Sequence, residues 1–77
     1  MPRLVPADWH TLTKIFEKFG CKFKRQRGDH LVYVYPNAKR PVIIPKYDEI
    51  PVSIIRINMK TVGMTRDQYF RLLNKYK

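Results

Sequence analysis

Gly28-Asp29 stands between two segments that alternate in the manner of strands, Cys21-Lys22-Phe23-Lys24 before it and Leu31-Val32-Tyr33-Val34-Tyr35 after it. A two-residue connection containing glycine, set between alternating runs, is a strong hairpin signal. No other feature limits the fold so much. It makes the two segments antiparallel neighbours and pairs Arg27 with His30, Arg25 with Val32 and Phe23 with Val34. Side chains then alternate between two faces. One face carries Cys21, Phe23, Val32 and Val34, with Arg25, Arg27 and His30 at its turn end. The other carries Lys22, Lys24, Gln26, Leu31, Tyr33 and Tyr35. This pattern predicts that the first face is the core and the second a solvent face mixing lysines with tyrosines.

Three strands are expected in all, over residues 21–27, 30–35 and 40–45. The turn Pro36-Asn37-Ala38-Lys39 sets Tyr33 opposite Val42. Before the strands, Trp9, Leu12, Ile15, Phe16 and Phe19 form one apolar stripe at helical spacing. Asp8 is placed to cap that helix and Gly20 to stop it. A second helix is expected from Val52 to Val62, between Pro51 and Gly63. Ile55, Met59 and Val62 are its core stripe, while Ile54 and Ile57 lie off it and are expected to pack under a third helix. That helix begins at Thr65, where Thr65-Arg66-Asp67-Gln68 reads as a capping box, with Met64 and Tyr69 as its hydrophobic staple. Tyr69, Leu72, Leu73 and Tyr76 form its stripe. The order α-β-β-β-α-α implies one two-layer α+β domain over residues 1–77, with helices covering one face of a three-stranded antiparallel sheet.

Charge narrows the function. Sixteen lysines and arginines against six acidic residues give a net charge of +10. Such a surface attracts polyanions such as nucleic acid. No apolar run approaches the ~20 residues needed to span a bilayer, and no helix is apolar on one face and basic on the other. A lone cysteine, Cys21, excludes an internal disulfide and a cysteine-rich zinc site, and reads as a small buried hydrophobe. No metal or cofactor is expected. Met1-Pro2-Arg3-Leu4 lacks the apolar run of a signal peptide, so a cytoplasmic location is expected.

His30 is the candidate catalytic residue. Histidine titrates near neutrality and can take a proton in one step and return it in another. A histidine held at a rigid turn with cations beside it is placed to handle a phosphodiester, where a base and cations would stabilise a charged transition state. Arg25 and Arg27 are candidate phosphate clamps, since a guanidinium holds two phosphate oxygens at once. Lys22, Lys24, Arg25, Arg27 and Arg40 together would neutralise about five phosphates. Tyr33 and Tyr35, beside Lys22 and Lys24, suit stacking of bases. The bland alternative is that these are solvated residues of a basic sheet. The general acid is not evident; Tyr33, a lysine or water would serve.

The chain resembles the HicA toxins of toxin–antitoxin pairs over nearly its whole length. Met1-Pro2-Arg3-Leu4, Phe19-Gly20, Arg25-Gln26-Arg27-Gly28, Tyr35-Pro36-Asn37-Ala38, Val42-Ile43-Ile44-Pro45 and Val62-Gly63-Met64-Thr65 carry the resemblance through their order and spacing. The resemblance implies a fold like a double-stranded-RNA-binding domain, a ribonuclease that cleaves messenger RNA, and neutralisation by an acidic HicB-type antitoxin. It places the family's catalytic histidine at His30. The chain departs from the family pattern at Asp29, where a serine is usual, and at Asn58, where an apolar residue is usual. A non-catalytic RNA-binding module of the same fold is the alternative.

Overall fold

The computed structural model describes residues 3–75; Met1, Pro2 and Tyr76, which entered the reading above, lie outside the described residues. Helix α1 spans Trp9–Phe19, strands β1, β2 and β3 span Lys22–Arg27, His30–Val34 and Val42–Pro45, and helices α2 and α3 span Val52–Val62 and Arg66–Lys75. The three strands form one antiparallel sheet in the order β1-β2-β3. This is the α+β order expected. β3 begins later than expected because residue 41 is a proline and has no N–H to give to a ladder.

Local chemistry sets the helix ends. The Asp8 carboxylate accepts hydrogen bonds from the Thr11 hydroxyl at 2.7 Å and the Thr11 N–H at 3.1 Å. Those bonds hold its pKa below the ordinary carboxylate value. The capping box of α3 closes reciprocally. Thr65 N–H donates to Gln68 Oε1 at 2.8 Å, and Gln68 N–H donates to Thr65 Oγ1 at 3.1 Å. Gly28 enters the left-handed region at φ 57° and no non-glycine residue among the described ones does, so Asp29 follows with negative φ. That sign sequence belongs to a type II′ hairpin turn. The Asp29 carbonyl accepts from Lys46 N–H at 2.7 Å, which ties the turn to the end of β3.

The register departs from expectation at one point. Arg27 pairs with His30 and Arg25 with Val32, but Phe23 pairs with Tyr33. Lys24 is therefore an extra residue in β1, a bulge that turns Phe23 to the opposite face. The assignment of the faces is also inverted. Leu31, Tyr33, Val42 and Ile44 join Leu12, Ile15 and Phe16 of α1 in the core. Arg25, Arg27, His30 and Val34 share a face as expected, but it is the outer one. Both pairings through β2 explain the choice. Leu31 lies opposite Ile44 and Tyr33 opposite Val42, so the bulkier pairs face the helices. Tyr33 is 3% exposed and its hydroxyl donates to Glu17 Oε2 at 2.6 Å. Outside, Val32 is only 6% exposed because it lies between Arg25 and Ile43 in the ladder.

The two edges of the sheet differ. All six residues of β1 are exposed, so the strand extends beyond the helices. At the other edge, Asn58 of α2 substitutes for a neighbouring strand. Its side-chain amide donates to the Ile43 carbonyl at 2.8 Å and its oxygen accepts from Ile43 N–H at 3.4 Å. A helix thus covers an edge that would otherwise be open. Asn58→Ala should cost about 1–3 kcal/mol, because it leaves both groups of Ile43 without their partner. Urea unfolding would measure it; an unchanged midpoint would mean that water satisfies this edge equally well.

Candidate functional site

The outer sheet face is built in rows. Arg27, His30 and Pro45 lie side by side across the three strands, and Arg25, Val32 and Ile43 form the next row. His30 is exposed. Its backbone is held in the central strand, directly after a turn fixed at both ends, so the imidazole is presented from a rigid position. The hairpin therefore brings His30, Arg25 and Arg27 together on one surface. Lys22 lies opposite Val34 at the far end of β1, and Lys24 projects from the bulge.

Beyond β3 the surface drops into a groove of about 300 Å³. Its apolar lining is Ile43, Pro45, Ile54 and Ile57, with His30 and Arg40 among its other lining residues. Asn58 makes this groove possible by holding α2 against the strand edge. Ile57 does not pack inward as expected and is 64% exposed, whereas Ile54 is half-buried against the core; both line the groove. Two further hollows adjoin it. One of about 230 Å³ is lined by Lys24, Arg25, Lys39 and Arg40 beside Val32 and Val34. Another, of about 350 Å³, also includes Lys39 and Arg40. Arg40 borders all three, and among the described residues none of the three is lined by a carboxylate. The contrast is with a cleft of about 280 Å³ between α1 and α3, which holds Asp8 and Asp48.

Tyr33 leaves the candidate surface. Its ring is in the core on the far side of the sheet from His30, so it neither stacks a base nor acts as an acid there. Burial, reinforced by the hydrogen bond to Glu17, pushes its hydroxyl pKa upward. Cys21 is buried, and burial pushes its thiol up to about 11, which keeps it protonated and unreactive at neutral pH. Ile43, Pro45, Lys39 and the groove itself were not legible as site residues. The off-stripe positions of Ile54 and Ile57 were the available signal.

A family model described as the HicA toxin of bacterial toxin–antitoxin systems matches residues 9–64. The chain belongs to the HicA toxin family. The match begins with α1 and ends just before the cap of α3, so it takes in the hairpin, β3, α2 and every residue named above as lining the outer-face groove. The protein is thus the toxin type of a toxin–antitoxin pair, and membership implies an antitoxin partner. No curated protein and no solved structure matches the chain. This HicA toxin has no helix among its described residues long and apolar enough to cross a membrane.

Proposed function

We propose that this HicA toxin is a metal-independent endoribonuclease acting on messenger RNA in the cytoplasm. The observation that supports this reading is the position of exposed His30 beside Arg27, on a face whose hollows are lined by cations. In the proposed reaction His30 takes the proton of a ribose 2′-hydroxyl. The freed oxygen attacks the adjacent phosphorus, and the bond to the 5′-oxygen breaks. A lysine or water protonates that leaving oxygen, since Tyr33 is out of reach. Arg25, Arg27 and Arg40 hold the phosphate oxygens as negative charge builds. An acidic HicB-type antitoxin would cover the same surface, where opposite charge speeds association and excludes RNA.

The chemistry fixes the products. RNA incubated with the purified protein and EDTA should yield 2′,3′-cyclic phosphate and 5′-hydroxyl ends. Binding should also depend on salt. With Lys22, Lys24, Arg25, Arg27 and Arg40 neutralising about five phosphates, log K should fall against log salt with a slope of about −3.5 for a single strand. A flat titration would remove the electrostatic basis of the reading. A second reading has its own observation: Asp29 places a carboxylate next to His30, where it repels phosphate. In that reading the protein binds RNA without cutting it, and salt-dependent binding with no cleaved ends would favour it.

A further inference from the structure

We infer that the groove between β3 and α2 is a nucleobase subsite, and that the RNA is single-stranded where it is cut. The inference rests on His30 acting on RNA, as proposed above. A phosphate at His30 leaves one neighbouring nucleoside within a single nucleotide step, and the groove begins at His30. Its volume of about 300 Å³ falls at the small end of the ~300–1,000 Å³ range of ligand pockets. Ile43 and Pro45 from β3 and Ile54 and Ile57 from α2 give it an apolar lining that suits a flat, apolar object. Flipped bases are held between apolar or aromatic side chains in this way.

An acidic protein would match the charge as well, but the regular alternation of apolar and cationic environments favours a nucleic-acid strand over a protein side chain. Arg40 stands where the groove meets the hollow lined by Lys24, Arg25 and Lys39. A chain with an apolar disc on each unit and a negative charge between units fits that sequence of environments: base in the groove, flanking phosphate at Arg40, backbone onward over the cations. Asn58 adds a polar element to the wall. Its amide retains one N–H and one oxygen lone pair after its two bonds to Ile43, and these can meet a base edge. A paired base in a duplex has both faces covered and its edge engaged, so only an unstacked base enters.

The test uses oligoribonucleotides carrying a mapped cut site, in which the nucleotide on either side of the cut is intact or abasic. One abasic substitution should lower kcat/KM at least about tenfold. Ile57→Glu, at an exposed position that the fold does not need, should lower the rate on intact RNA to a similar degree. It should erase the difference between intact and abasic substrates. Equal cutting of intact and abasic RNA by the wild type would overturn the subsite and leave the ribonuclease reading standing. If no RNA is cut, the ribonuclease reading fails, and NMR of the methyl groups decides the groove. Ile54 and Ile57 shifts with an intact single strand, absent with an abasic one, support the subsite. Shifts confined to the basic hollows, or groove methyls that respond only to an acidic protein partner, overturn it.

Discussion

His30→Ala should lower the rate of RNA cleavage by about 10²–10⁴-fold, the usual contribution of a positioned general base. Growth arrest on expression should be lost with it. RNA affinity should change little, because Arg25, Arg27 and Arg40 remain on the same face. Folding should also be preserved. His30 is exposed and none of the core side chains depends on it, so stability should move by under ~1 kcal/mol. The combination is what makes the experiment informative: cutting lost, binding kept, fold kept. A variant that cuts at the wild-type rate would show that another group is the base. A variant that neither cuts nor binds would show that the imidazole contributes to holding the strand.

Tyr33→Ala should lower the unfolding free energy by about 3–5 kcal/mol, as removal of a buried aromatic ring does. For a small domain that is a large part of a total of about 5–15 kcal/mol. The ring is packed between the sheet and α1, with Phe23 edge-on at 5.6 Å. Its hydroxyl reaches the Glu17 carboxylate, so Tyr33→Phe should cost about 1.5–3 kcal/mol, the worth of a hydrogen bond to a charged group. The pair of variants tests which face of the sheet is covered. Had Tyr33 been on the outer face proposed to meet RNA, alanine would weaken binding and leave unfolding untouched. Denaturant melts on both variants, read beside RNA binding at a temperature where each is folded, separate the two cases.

Much of this architecture was readable in the chain, for local reasons. Asp8, Gly20, Pro51 and Gly63 bound two helices at Trp9–Phe19 and Val52–Val62 because capping and termination act over a few residues. Gly28 does the same for the hairpin, and with it came the shared face of Arg25, Arg27 and His30. The covered face was not readable. Leu31-Val32-Tyr33-Val34 and Val42-Ile43-Ile44 are apolar on both sides, so alternation gives no direction. Lys24 carries no glycine or proline to announce a bulge. Asn58 stood out only as a departure from the family pattern, because its partner Ile43 is fifteen positions away in the chain. The groove depends on that pairing and so was hidden with it.

The exposed strand β1 has a consequence for how the molecule behaves among copies of itself. Open sheet edges are templates for stacking chain upon chain. Here the β3 edge is already taken up by Asn58, which leaves β1 as the one edge where a foreign strand can add among the described residues. Four of its six residues are lysine or arginine. In an antiparallel self-pairing these would meet one another across the seam, and like charges directly opposite are destabilising. The bulge at Lys24 breaks the even spacing such a seam requires. The same cations that attract a polyanion therefore oppose self-pairing of this edge.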